Sequence, residues 1–287
     1  MRPGTATALA PRLLRRVGGY REYAPPPDLV SVVDAPWVYF LETDAEIPGR
    51  ARHHRILPEP GVSLSFACVR DERGRVLDAR LNFQGPIRAI QMFVPGNGLR
   101  LEAVRLAPEW SRVLVRADAA DHADRVDPYD FVHRRHARRL YARLTRTTSS
   151  REAVQVLLEE VRDLRDQVNP PRSARLPLSL AAMIRAERGT LSLAGIAQMH
   201  GISTRHLRRL VVEATGIGPR WLHRIHRLNR AVSLADACEH PEWARVAADS
   251  GYCDQSHMIR EFVSITGQSP LALHRERQAE NIASAHG

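Results

Sequence analysis

The sequence predicts an α+β chain: an N-terminal antiparallel β barrel or sandwich accompanied by two helices, then an all-α domain of two helix-turn-helix units. Three observations predict it. Short apolar runs separated by Gly, Pro, Asp and Asn fill roughly the first 115 residues, as antiparallel strands joined by turns do. Helical periodicity starts near Asp127 and continues to the end. A stretch of about thirty residues in the last third of the chain occurs twice.

Composition sets the limits. The 287 residues suffice for about two domains. With 44% apolar and 26% charged residues, the mix is that of an ordinary soluble protein. The net charge is +10, and all 42 basic residues are arginine. Arginine forks onto phosphates and guanine edges, so the excess suits nucleic-acid binding. A genome of biased base composition also replaces lysine by arginine, and the two causes coexist. Cys68, Cys238 and Cys253 are widely spaced, without zinc-ligand spacing, and are expected to be reduced thiols in a cytoplasmic protein. No run has the length of a signal peptide core or of the ~20 apolar residues of a membrane span. No membrane partner is expected.

In chain order, residues 1–19 are rich in Arg, Ala and Gly and are expected to be loose. Residues 20–168 make the first domain. Its YAPPPDL segment cannot be α-helical, because proline lacks the amide donor. APWVYFLET, HHRILP, GVSLSFACV, RVLDARLNF, AIQMFVP and LEAVRLAP read as strands. DPYDFVHRRHARRLYARLTR and SREAVQVLLEEVRDLRDQV read as two helices, the second with Val154, Leu157, Leu158, Val161 and Leu164 on one face. Counted from Ser150, the capping-box acid is missing, and Glu152 favours the first turn through the helix dipole. NPPRSARLP, residues 169–177, reads as a linker; residues 178–277 form the helical domain and 278–287 a tail.

Inside the helical domain, IAQMHGISTRHLRRLVVEATGIGPRWLHR (196–224) lies on VAADSGYCDQSHMIREFVSITGQSPLALHR (246–275). Ala197 and Gly201 fall on Ala247 and Gly251 at an offset of 50. After a one-residue insertion the offset is 51, and Arg209, Thr215-Gly216 and Pro219 fall on Arg260, Thr266-Gly267 and Pro270. Each copy reads as a short helix, a glycine that takes the left-handed cap cheaply, a polar N-cap and a second helix. The caps are Ser203 and, in preference to Cys253, Asp254. Leu207, Leu210 and Val211, and likewise Met258, Phe262 and Ile265, turn inward. GPRWLHRIHRLNRAVSLADA is one connecting helix with Pro219 in its first turn. From His200 to Arg230, seven arginines stand against one acid, Glu213. Alone such a run is usually a solvated face; on and beside the second helix of this motif, DNA contact outweighs that reading. Two units on one rigid helix would set their second helices in major-groove segments about 34 Å apart.

These features make residues 178–277 resemble the AraC/XylS transcriptional regulators. The match rests on the tandem units, the connecting helix, and Gly251, Gln255, Ser256, His257, Arg260, Phe262, Gly267, Ser269 and Pro270. YAPPPDL, the tryptophan strand, HHRILPEPGVSLSF and AVRLAPEWSRVLV are similar to a cupin-like sensor region of one branch of that family. The resemblance implies a sequence-specific regulator that binds double-stranded DNA. Its first domain would answer to a small-molecule effector or a partner; RNA polymerase and a second copy of the chain are further candidate partners. It implies that Arg205, His206, Arg208 and Arg209 in the first unit face DNA, with Gln255, Ser256, His257, Ile259 and Arg260 in the second. Arginine suits guanine O6 and N7, glutamine suits adenine N6 and N7, and Ile259 suits a thymine methyl. For His206 and His257, base contact and cap-side exposure both stay open. Val211 stands where the family pattern has phenylalanine, which implies a smaller first core.

The rival class is a cupin-type enzyme or metal-binding sensor fused to a DNA module. Its metal would need His53-His54 to converge with other histidines and an acid from other strands, and the region has few. No catalytic residue, metal or cofactor is expected. Cys68, Trp37, Trp110 and Trp243 read as core.

Overall fold

Alternation along residues 62–68 organises the first domain. Val62, Leu64, Phe66 and Cys68 turn to one face, and the short side chains of Ser63, Ser65 and Ala67 turn to the other. The structure is a computed structural model and describes residues 13–17, 19–40, 54–94, 96, 98–115, 119–168, 170, 172–187 and 191–285. Its strands are β1 (Leu13–Val17), β2 (Tyr20–Tyr23), β3 (Val33–Phe40), β4 (His54–Ile56), β5 (Val62–Arg70), β6 (Val76–Gln84), β7 (Gln91–Phe93), β8 (Leu99–Leu106) and β9 (Val126–Pro128). Seven of them form one antiparallel sheet in the order β1-β2-β3-β8-β5-β6-β9, while β4 and β7 pair separately. The helices α1 (Pro108–Val115), α2 (Asp130–Leu144) and α3 (Ser150–Asp166) follow. The large side chains of β5 meet Leu140, Leu144, Leu157 and Val161 from α2 and α3 in one core.

The antiparallel sheet and the two long helices are as the sequence predicts. Four details differ. β1 lies within the stretch expected to be loose and pairs with β2, Val17 opposite Tyr20, so it is held by a ladder its composition does not announce. α1 occupies a stretch read among the strands; Pro108 at its start and Glu109 in its first turn are helix-start signals that the apolar run masked. β9 was not anticipated. The cap of α3 is Ser149, one residue earlier than expected. Ser149 Oγ accepts from Glu152 N at 3.2 Å and the Glu152 carboxylate accepts from Thr148 N at 2.8 Å, so the acid does stand at the third helical position.

The helical domain contains α4 (Arg172–Ala186), α5 (Leu193–Met199), α6 (Thr204–Thr215), α7 (Pro219–Asp236), α8 (Trp243–Asp249), α9 (Gln255–Thr266) and α10 (Pro270–Ala285). α4 begins inside the expected linker and carries Pro177 internally. One helical hydrogen bond is forgone there, and burial of Pro177, Leu180, Ala181 and Ile184 as α4 packs on α6 and α7 outweighs it. α10 runs on through most of the expected tail. Two cores result. Leu180, Ile196, Leu207, Val211 and Leu222 share the first. Leu228, Val232, Ala247, Met258, Phe262 and Leu273 share the second.

Ser149→Ala removes one of the two side-chain-to-backbone bonds at the start of α3. The expected cost is about 1 kcal/mol of unfolding free energy, read as a lower denaturant midpoint at unchanged slope.

Candidate nucleic-acid interface

The repeat seen in the sequence is a repeat of atoms. α5 and α8 superimpose in sequence at an offset of 50, and α6 and α9 at an offset of 51. Between them Gly201 (φ 62°) and Gly251 (φ 78°) reverse the chain in the left-handed region that glycine enters without strain. Ile202 N and Tyr252 N each donate to the carbonyl of the matched alanine, Ala197 or Ala247, at 3.0 Å. Ser203 Oγ accepts from His206 N at 3.1 Å, and Asp254 Oδ1 accepts from His257 N at 2.6 Å. The expected cap at Asp254 rather than Cys253 is the one observed. At the other end, Ile217 N and Gln268 N donate to Thr215 Oγ1 and Thr266 Oγ1, both at 3.1 Å. The Thr-Gly pairs are thus helix stops.

With these ends fixed, the inward residues are buried and the fronts are clear. Arg205, Arg208 and Arg209 are exposed on α6; Gln255, Ser256, Ile259 and Arg260 are exposed on α9. The two histidines lean back onto their own units. His206 Nε2 accepts from Arg209 at 3.1 Å, and the His257 ring stands edge-on to Tyr252 at 5.4 Å. Not all of the arginine run points outward. Arg227 donates to both Glu261 oxygens, at 2.9 and 2.7 Å, and lies 4.8 Å over the Tyr252 ring. Arg224 reaches the same carboxylate at 3.4 Å, and Arg230 donates to Asp249 O at 2.5 Å. These three hold helices together, which lowers the charge available to a ligand below the count made on the sequence.

Glu261 is the positioning residue that sequence reasoning missed. It sits on the inner side of α9 with Met258 and Phe262 and is only 9% exposed. The matched residue in the first unit is Leu210, also buried. An acid at an inward helical position, opposite arginines of the connecting helix α7, was the available signal. A second repeated clamp is His223 and His274, whose Nε2 atoms lie 2.8 Å from Leu191 O and 3.3 Å from Glu239 O. Burial pushes the His223 pKa down, with the Leu191 carbonyl opposing, so its ring is neutral and donates through Nε2.

The first domain grips both units without covering their fronts. α1 packs on α6, and Arg185 of α4 binds the fully buried Glu109 at 3.0 Å. On the second unit, Leu57 joins the core, Asn229 Nδ2 donates to Pro58 O at 3.1 Å, and Arg55 pairs with Glu276 at 2.7 Å. Cys68 lies in the core of the first domain, Trp110 packs against it and Trp243 packs against the second unit's core. Trp37 does not read as expected: it is half-buried and lines a cavity. His53 lies outside the described residues. Among the described residues no three of His, Cys, Asp and Glu gather as metal ligands, and no helix is long and apolar enough to cross a membrane.

Residues 196–276 match the family model described as a helix-turn-helix domain, and the chain carries an AraC-type domain of that kind there. Two solved structures are similar. One is the C-terminal domain of AraT, a response regulator from Geobacillus stearothermophilus, at 24% identity over 37% of this chain and 89% of that one, TM-score 0.34. The other is ToxT from Vibrio cholerae O395, at 11% identity over 78% of this chain and 96% of that one, TM-score 0.41. A comparison with curated proteins finds no match.

Glu261→Ala leaves the nearly buried Arg227 without its carboxylate and should destabilise the second unit by about 3 kcal/mol, with Glu261→Gln costing less, in chemical denaturation. The neutral His223 makes a pH prediction. Its folded pKa is depressed, so its contribution is complete above the unfolded value of about 6.5 and is lost as pH falls through that value toward the folded one. Denaturation midpoints should drop between neutral pH and about pH 5, and drop less in His223→Gln.

Proposed function

We propose that this chain is a sequence-specific DNA-binding transcription regulator, in which α6 and α9 read successive major-groove segments and the first domain answers to a small ligand or a partner. The observation that carries this reading is the pair of matched helices, each capped at both ends and anchored by its own core, each presenting an exposed polar or basic front. The helix-turn-helix match over 196–276 supports it.

The fronts differ chemically. Aligned at an offset of 51, Thr204, Arg205, Arg208 and Arg209 stand where α9 has Gln255, Ser256, Ile259 and Arg260. The first front suits guanine-rich edges, and the second suits adenine through Gln255 and a thymine methyl through Ile259. A single chain therefore binds an asymmetric site in one orientation. At a promoter it would meet RNA polymerase and, where sites repeat, a second copy of itself. His206 and His257 contribute from the edges of the two fronts.

Binding of the purified chain to randomised duplex DNA, selected and sequenced over a range of salt, tests this. Sequence-preferring, salt-dependent binding is expected, and its absence defeats the reading. Arg208→Ala and Arg260→Ala should each cost about 1–3 kcal/mol at particular base positions. A uniform loss over all sequences would make these residues phosphate contacts instead.

A further inference from the structure

The sheet face opposite α2 and α3 is the floor of a cavity of ≈ 690 Å³, within the range of small-molecule sites. Ser63, Ser65 and Ala67 open it by being short. One wall is a row of five rings from four strands: Trp37, Tyr20, His54, Tyr39 and Phe93. Successive centroids lie 5.6, 6.2, 5.1 and 5.7 Å apart. Among the acceptors that line the cavity are Glu59 from the first domain and Asn229 from α7.

The charge balance around Glu59 is negative. Arg105 is the guanidinium at its centre, and Glu22 (3.0 Å), Asp34 (3.0 Å) and Glu59 (3.5 Å) all converge on it. Arg185 reaches Asp34 only at 3.9 Å and binds Glu109 at 3.0 Å. Four carboxylates thus share two guanidiniums, with His226 near Asp34 the further cation when it is protonated. The other arginines deep in the cavity are matched by acids: Arg55 by Glu276 at 2.7 Å and Arg277 by Asp236 at 2.5 Å. At the exposed rim Arg80 is accompanied by Asp78. Burial pushes the Glu59 carboxyl up to about 7, Arg105 opposing and Asp34 and Glu22 adding to the rise. Asn229 supplies the independent observation. Its Nδ2 donates to Pro58 O, while its Oδ1 is buried and meets no donor among the described residues.

We propose that this cavity binds an organic cation bearing N–H donors, a protonated amine or guanidinium on an apolar body. Its charged head would be taken by Glu59 and, on a small turn of the amide that exposes it, by Asn229 Oδ1, and its body would lie against the ring row. A cation gains from ring faces within about 6 Å. It also completes a cluster short of positive charge and gives the orphaned amide oxygen a donor. An anion would meet the same rings, but would add to the carboxylate excess and leave Asn229 Oδ1 unmatched. That such a ligand acts as the effector rests on the regulator reading; that it binds does not. Because Asn229 belongs to α7 and Arg277 to α10, a ligand here touches both domains.

Calorimetric titration of the full chain at about pH 8, where Glu59 is ionised and an alkylamine is protonated, tests the proposal with three probes of similar body. These are 2-phenylethylammonium, its N,N,N-trimethyl analogue and 3-phenylpropionate. The primary ammonium should bind most tightly, the trimethyl form more weakly for want of N–H donors, and the carboxylate least. Glu59→Gln should weaken the ammonium at least about tenfold, the loss of a charge-assisted bond. Its thermal midpoint should be unchanged or higher, since like charges around Arg105 are relieved. Preference for the carboxylate, absence of ammonium binding, or undiminished affinity in Glu59→Gln would each overturn it. The titration contains no DNA, so its failure leaves the regulator reading standing, and a failure to bind DNA leaves the cavity's preference measurable.

Discussion

The helix α7 belongs to both cores of the helical domain, and the rest of the arrangement depends on that sharing. Leu222 near its start packs into the first core, and Leu228, Ala231 and Val232 pack into the second. A helix with 3.6 residues per turn cannot shift one of these sets without the other, because a packed core resists displacement of a side chain by even a fraction of its width. Helices α6 and α9 are therefore fixed relative to one another by packing rather than by a loop. Each is fastened to α7 by different chemistry. In the first unit the aligned position is Leu210, an apolar contact without directional demand. In the second it is Glu261, held by Arg227 and Arg224. A buried ion cluster adds little net stability over an apolar one, but it tolerates few geometries. The second front thus rests on a directional contact that the first lacks.

A parallel economy runs through the sheet. Strand β5 gives one face to a core and the other to a cavity, and the difference is made by the size of alternate side chains. Phe66 and Leu64 fill the space under α2 and α3, while Ser63, Ser65 and Ala67 leave space above. The space persists because its walls are made elsewhere, by β3, by the β4–β7 pair and by α7. Tyr20 stands opposite Tyr39 and His54 opposite Phe93 in register, so the ring row follows from strand pairing rather than from local sequence.

Legibility in the sequence follows the same division. The tandem units could be read because each is local: a glycine, a cap and an inward triplet lie within some twenty residues, and the repeat tests the reading against itself. The caps at Ser203 and Asp254 came from residue chemistry alone. What escaped was set by partners distant in sequence. Trp37 in a strand looks like core until the ring row across β2, β4 and β7 shows it bordering a cavity. β1 is too short, with two arginines among its five residues, to announce itself, and exists through its ladder to β2. α4 runs through Pro177 because packing on α6 and α7 outweighs the missing bond. Glu261 was passed over because an acid beside Met258 and Phe262 reads as surface until Arg224 and Arg227 are brought beneath it.

The first domain touches both helix-turn-helix units and leaves the fronts of α6 and α9 exposed. It holds α6 through α1, α4 through Arg185 and α7 through Asn229, and its Leu57 enters the second core. Arg205, Arg208, Gln255 and Ile259 nevertheless stay exposed. Occlusion of the fronts is thus not the means by which this docked arrangement could govern binding. What remains is orientation. The domain bridges both units, so its seating on α6, α7 and α10 adds to the constraint by which α7 sets the spacing of its two heads. Two fronts reading successive groove segments need a matched separation, and a mismatch strains one contact set or the other. A ligand binding between Glu59 and Asn229 would stabilise one such placement to the extent that it prefers that placement over others. In the proposed reading, control and recognition meet on α7: one side of this helix carries the heads and the other closes the cavity.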